Sequence, residues 1–283
     1  MRTRLTSCPP GAAARQRPVR IAAGALGLAA GLALAGCPGA LPLTGVDLER
    51  SLARHSRLFL PPGPGPFPGV VLVSGCNGTG RGMPYWARRL NRWGYAALVV
   101  ASMKARGLTG GVCDDGTRLP AAQRADDVWW GFRYLARHPR IDRRHLALIG
   151  WSHGAWTVLA ALGPGIAPPG RTFAAAVVFY PFCGDGVAVQ RRVPLLMLLA
   201  GRDDWTPAEQ CRREARHLID SGARCKVVVF PRARHAFDFP WIPPEKTIRE
   251  ARGGLGATIG HNPAAAARAS TLVRRWLDRY LVR

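Results

Sequence analysis

Six short apolar runs, at 69 to 74, 95 to 100, 146 to 150, 174 to 180, 194 to 200 and 226 to 230, alternate with amphipathic stretches at about 84 to 92, 121 to 137, 154 to 163, 207 to 220 and 264 to 281. The runs are apolar on both parities, as in Ala175-Ala176-Val177-Val178-Phe179 and Leu195-Leu196-Met197-Leu198-Leu199. A strand with one wet face would alternate, so these strands need cover on both faces. The intervening stretches supply it. Ala155, Val158, Leu159 and Leu162 fall at i, i+3, i+4 and i+7, as do Val273, Trp276, Leu277 and Tyr280, so each helix buries one stripe. The pattern predicts an α/β fold with a mainly parallel sheet and helices on both faces. One more short strand is expected at Arg57 to Leu60, before the Pro/Gly stretch 61–66. With 283 residues, 48% of them apolar, and no repeat period, the chain suits a single large domain.

The N-terminus reads differently. Arg15, Arg17 and Arg20 precede an uncharged run from Ile21 to Gly36, the pattern of a secretory signal. Gly24, Gly27 and Gly31 dilute that run, which is also shorter than the roughly 20 apolar residues of a membrane span, so cleavage is expected. Its end, Leu34-Ala35-Gly36-Cys37, resembles the lipobox of bacterial lipoproteins. The resemblance implies that Cys37 becomes a lipidated first residue, with ordinary cleavage nearby as the alternative. On this reading 1–36 is a signal peptide, 37–55 a tether and 56–283 the domain. The protein is then exported and held at a membrane of the periplasm or cell envelope through Cys37.

Forty basic and 17 acidic residues give a formal charge of +23, and removing 1–36 takes away arginines but no acid. Those arginines are spread along the chain without aromatic or groove-reading motifs beside them, so no nucleic-acid partner is expected. An anionic envelope surface, or simple solvation, accounts for the charge. Cys76, Cys113, Cys183, Cys211 and Cys225 remain after the N-terminal Cys8 and Cys37, in a compartment that favours disulfides. None has the CxxC spacing of a zinc site, and no metal is expected.

Within the domain, Leu146 to Gly150 reads as a buried strand, and Trp151-Ser152-His153-Gly154 turns it into a helix beginning near Ala155. Ser152 is the centre of a GxSxG motif at a strand-to-helix turn, where flanking glycines relieve crowding and the hydroxyl is presented at the sheet edge. A serine hydroxyl is a poor nucleophile until a base takes its proton. His235 follows the strand at Val227 to Phe230 and is the candidate base. Asp203, on the loop after Leu195 to Ala200, is the candidate acid, with Asp204 second. The residue after a nucleophile can donate its backbone N–H to a developing oxyanion, which nominates His153. The loop after the first long strand nominates Cys76 or Asn77 as the second donor. The glycine-rich stretch Gly78 to Gly82 is not GxGxxG and has no Walker lysine, so no cofactor is expected.

Together, Ser74-Gly75-Cys76-Asn77-Gly78, Arg106-Gly107 with Cys113, Gly150 to Gly154, Tyr180-Pro181-Phe182-Cys183, Asp203 to Pro207 with Cys211, and His235-Ala236-Phe237-Asp238 resemble the dienelactone hydrolase family within the α/β-hydrolase superfamily, specifically its exported members. The resemblance runs from about residue 56 to the C-terminus. It implies a hydrolase sheet of eight strands or slightly fewer, no metal or cofactor, and a small-molecule ester or lactone as substrate. It departs from the family's original enzymes at Ser152, where they use cysteine, and at Gly75, where they carry an acid; an ordinary serine esterase fits better than the specific dienelactone activity. The implied topology puts Cys76, Cys113, Cys183 and Cys211 toward one sheet edge, with Cys183 to Cys211 the first expected bridge and Cys225 free. Trp151, Phe182, Trp205, Phe237 and Trp241 are candidate pocket residues; Arg106 could meet an acidic substrate group or serve structure, and 239–262 could form a lid. The alternative functions are a non-catalytic envelope binding protein on the same scaffold, or a peptidase or acyltransferase using the same residues.

Overall fold

The computed structural model describes residues 45–184 and 192–282; the expected signal segment, Cys37 and the first part of the tether lie outside the described residues. A seven-stranded sheet runs in the order β1-β3-β2-β4-β5-β6-β7. Its strands are β1 (Arg57–Phe59), β2 (Phe67–Val73), β3 (Ala96–Val100), β4 (Ile141–Trp151), β5 (Ala175–Phe179), β6 (Leu195–Ala200) and β7 (Cys225–Phe230). All neighbours pair in parallel except β1, which runs antiparallel to β3 at the edge. The helices are α1 (Gly45–His55), α2 (Gly82–Arg92), α3 (Ser102–Ala105), α4 (Ala121–Arg137), α5 (His153–Ala161), α6 (Ala208–Asp220) and α7 (Pro263–Leu281).

The double-sided apolar pattern is explained by two cores. Val71, Val73, Leu148, Met197 and Leu199 join α4, α5 and α6 on one face, through Trp129, Leu135, Val158 and Leu218. Their strand neighbours Val70, Leu72, Ile149, Leu196 and Leu198 join α2 and α7 on the other, through Trp86, Leu90, Val273 and Leu277. Each fully buried aliphatic side chain contributes about 1.5–3 kcal/mol, so both faces hold the strands in register.

Three elements differ from the sequence expectation. Residues 45–55, read as tether, form α1: Leu48, Ser51, Leu52 and His55 make its less exposed stripe, and Leu52 enters the core. Ser51 Oγ donates to Ala105 O at 2.8 Å, and Asp47 near the start with Arg54 and His55 at the end suits the helix dipole. β4 begins at Ile141 rather than Leu146, because Ile141 and Asp142 already pair with Phe67 and Pro68 of β2, before a register shift at Pro68/Gly69 that skips Arg143 to His145. Within 239–262, β8 (Lys246–Ile248) and β9 (Ala257–Ile259) form a small antiparallel pair. No helix among the described residues is long and apolar enough to cross a membrane.

Candidate active site

Parallel strands deliver their following loops to one edge of the sheet, where ligands of open α/β sheets bind. Ser152 sits there between β4 and α5 at φ 53° and ψ −120°. A non-glycine residue at positive φ costs about 1–3 kcal/mol and needs its surroundings to hold it. Here Ser152 N donates to Phe179 O at 2.9 Å, and Trp156 N donates to Ser152 O at 2.9 Å. The flanking glycines are required by contact: a Cβ on Gly154 would lie 2.2 Å from Val73 O, and one on Gly150 would lie 2.4 Å from Gly154 O.

His235 Nε2 lies 2.9 Å from Ser152 Oγ, and His235 Nδ1 lies 2.8 Å from Asp203 Oδ2. Asp203 Oδ1 accepts from the N–H groups of Trp205 and Thr206, each at 2.9 Å. The Thr206 hydroxyl stands 3.1 Å from Asp203 Oδ2 and 3.2 Å from His235 Nδ1, and donates to Tyr180 O at 3.0 Å. The imidazole packs near the rings of Tyr180 and Trp205, with centroids 4.5 and 5.0 Å away. Asp204 points elsewhere: its carboxylate accepts from Thr258 N at 2.8 Å, tying β9 to the acid's loop.

Two cavities meet at Ser152. One, of about 270 Å³, is bordered by Gly75, Cys76, Trp151, His235 and the apolar wall of Met83, Phe239, Trp241, Ile242, Ile248 and Ile259. The other, of about 410 Å³, opens toward His153, Trp156, Phe182 and Arg252. Cys76, Cys113, Ser152 and Trp205 border both. Much of the first cavity's apolar wall comes from the segment expected as a lid.

The candidate pocket residues therefore divide. Trp205 borders both cavities, Trp151 the first and Phe182 the second. Phe237 is fully buried in the core. Arg106 is not in either cavity: it forms a two-pronged pair with Asp127 at 2.6 and 2.8 Å and donates to Ser102 O at 3.1 Å. Its carboxylate partner lies within α4, so its charge is already spoken for. Cys76 is bonded to Cys113 and Cys183 to Cys211, while Cys225 is free. The first bridge fastens the loop after β2, where Val112 N also donates to Cys76 O at 2.8 Å.

Besides Asp127, two buried charged residues beside the site carry roles that no local motif marks. Asp238 accepts from Trp86 Nε1 at 2.7 Å, Trp151 Nε1 at 3.0 Å and Tyr180 Oη at 2.5 Å. Burial raises its carboxyl above the ordinary value, against the opposing pull of these donors. Arg124, on α4, is fully buried; its guanidinium lies 3.0 Å from His153 Nδ1 and donates to Ser74 Oγ at 3.1 Å. Burial and then the Arg124 charge lower His153 to about 4, so its imidazole is neutral and accepts at Nδ1. A polar residue inside an otherwise apolar helical stripe was the available sign for Arg124. No cluster suited to a metal ion occurs among the described residues.

The sheet, the strand-to-helix turn and the three residues at its edge define an α/β-hydrolase. A model of the dienelactone hydrolase family matches residues 55–281. The chain is 27% identical over 192 residues to a Yersinia pestis protein provisionally named a carboxymethylenebutenolidase, covering 63% of this chain and 72% of that protein. A Klebsiella pneumoniae structure provisionally named a dienelactone hydrolase aligns with a TM-score of 0.62 at 20% identity, over 80% of this chain and 92% of that one. Esterase 2 of Thermogutta terrifontis, with propionate bound, aligns with a TM-score of 0.55 at 15% identity, over 81% and 90%. Those structural likenesses bear on the fold. The chain belongs to the dienelactone hydrolase family.

Proposed function

We propose that the protein cleaves a carboxylic ester or lactone through an acyl-enzyme on Ser152, with His235 as base and Asp203 orienting it. The observation that carries this reading is the continuous hydrogen-bond path from Ser152 Oγ through His235 to Asp203 at the junction of two cavities. His235 Nε2 takes the Ser152 proton as Oγ attacks the carbonyl carbon, then gives it to the leaving alcohol. Asp203 fixes the proton on Nδ1 and stabilises the imidazolium. Water repeats the sequence to release the acid. The backbone N–H groups of His153 and Cys76 are the proposed oxyanion donors. His153 opens α5, where N–H groups lack intrahelical acceptors, and Gly75 brings the next residue's backbone beside the nucleophile, its added Cβ falling 3.6 Å from Ser152 Cβ. The apolar first cavity suits an apolar acyl or alcohol group.

The test is labelling with a fluorophosphonate probe and turnover of a short-chain aryl ester, on the wild type and Ser152→Ala. Label and turnover confined to the wild type support the proposal. Equal labelling of both proteins removes Ser152 as nucleophile, and labelling without ester turnover favours a peptidase or transferase. Absence of both in folded wild-type protein favours a binding role. Export and lipidation at Cys37 are a separate part of the proposal. The signal-like run and the two disulfides, which persist in oxidising compartments, support it. Detergent partitioning left unchanged by Cys37→Ser removes the anchor.

A further inference from the structure

Arg124 is a buried cation with an unusual set of partners. Its two contacts are neutral, Ser74 Oγ and His153 Nδ1, and its Nε has no hydrogen-bond partner. The nearby buried carboxylate, Asp127, is paired with Arg106; it attracts Arg124 at longer range, and the Arg106 charge opposes that pull. Among the described residues Arg124 makes no ion pair within 4.0 Å. Burial lowers the guanidinium to about 10, which still leaves it charged at neutral pH. Enclosing a charge without a direct ion-pair partner is costly, and an apolar side chain of similar volume would serve packing alone better.

The two contacts have a common meaning in the chain. Ser74 directly precedes Gly75-Cys76 after β2, and His153 directly follows Ser152 at the start of α5. The guanidinium therefore bridges the two turns that carry the proposed oxyanion donors. The neutral imidazole takes its hydrogen bond at Nδ1, and Nε2 faces Gly116 O at 3.4 Å, so the ring is held from both sides.

We infer that Arg124 is a positioning residue for the oxyanion site: by bridging Ser74 and His153 it fixes the spacing of the two N–H donors and places a positive charge without a direct ion-pair partner behind them. The inference rests on the acyl-enzyme reading above. When the Ser152 Oγ–carbon bond forms, the serine proton passes to His235 and the carbonyl π pair moves onto oxygen. That oxygen then carries a negative charge that the buried cation attracts. When the intermediate collapses, the pair returns, the bond to the leaving alcohol breaks, and His235 protonates the alcohol.

Arg124→Met, Arg124→Lys and Ser74→Ala test the assignment. The readouts are kcat and KM on a short-chain aryl ester, and the inhibition constant of an alkyl boronic acid, whose serine adduct is tetrahedral and anionic. Active sites are counted by exhaustive fluorophosphonate labelling, which removes misfolded protein from the comparison. Expected for Arg124→Met is a loss in kcat on the order of 100-fold with KM changed little, and boronate affinity falling in parallel. Arg124→Lys should recover about tenfold of that loss, and Ser74→Ala should lose about tenfold. Arg124→Met with wild-type kcat and boronate affinity per site overturns the inference, as does equal behaviour of Lys and Met. If Arg124→Met does not fold, unchanged boronate affinity in both Arg124→Lys and Ser74→Ala overturns it. A wild type without turnover or label would instead sink the acyl-enzyme reading.

Discussion

Trp151 Nε1 donates to Asp238 Oδ2 across 3.0 Å, joining the residue before Ser152 to the loop that carries His235. Trp86 and Tyr180 donate to the same carboxylate, so α2, the end of β4 and the residue after β5 converge on it. Asp238→Ala would leave three buried donors without an acceptor, each costing about 1–3 kcal/mol. The expected result is a loss of at least about 3 kcal/mol in denaturant unfolding, together with a fall in kcat as the base loop loosens. Asp238→Asn, which keeps one acceptor oxygen, should fall between. A wild-type unfolding midpoint in Asp238→Ala would show that this junction does not hold the loop.

Adjacent carboxylates should behave differently. Asp203→Asn should lower kcat about 10⁴-fold, because the amide no longer fixes the imidazole tautomer. Asp204 holds Thr258 N and no part of the imidazole, so Asp204→Asn should cost less than tenfold by the weight of one exposed hydrogen bond. Steady-state kinetics on both variants decide it, and the reverse ranking would move the acid by one residue.

His153 gives the stability a pH dependence. Its folded value is near 4, against an ordinary value of 6.5 in the unfolded chain, with burial the main cause. Between those values the unfolded state binds the extra proton. The contribution is therefore complete above about pH 6.5 and declines as pH falls through about 4, by about 3 kcal/mol at most. Urea unfolding of wild type and His153→Gln at pH 7.5 and 4.5 should show a steeper pH dependence in the wild type. Identical dependence would assign it to other groups.

The cysteines offer a chemical map. Peptide mapping of the oxidised protein should return Cys76–Cys113 and Cys183–Cys211 pairs. Cys225 should alkylate slowly in the native state, because burial pushes its thiol up to about 11. Cys113→Ser opens a crosslink between residues 37 apart and should cost about 3–4 kcal/mol on a chain-entropy account. Rapid native alkylation of Cys76 or Cys113 would contradict the first pairing.

The strands were legible because burial on both faces leaves no polar interruption, and the GxSxG turn because only glycine tolerates the approach of Val73 O to position 154. The acid and base could be placed by their positions after β6 and β7. What could not be read depends on distant partners. Position alone leaves Arg106 open to a substrate contact or a structural role, and its partner Asp127, 21 residues on, makes the role structural. Asp238 and Arg124 are ordinary charged letters in a local window, and only the fold encloses them. The first half of β4 is hidden because Asp142, Arg143, Arg144 and His145 break the apolar run, and the pairing with β2 itself skips from Asp142 to Leu146. The period of α1 is present at Leu48, Ser51, Leu52 and His55, but with only two strongly apolar residues on that stripe it does not stand out from a tether.

The two cavities around Ser152 share four lining residues; most of their remaining walls are made by different residues, although Arg252 of the 239–259 segment lines the second. Residues 239 to 259 supply much of the first wall, whereas Trp156, Phe182 and the turn at 116–117 help form the second. Substitutions at Trp241 or Ile242 touch the first cavity alone, and those at Trp156 or Phe182 the second alone. Selection, or a designer, has two dials on a single reaction centre, coupled through the four residues they share.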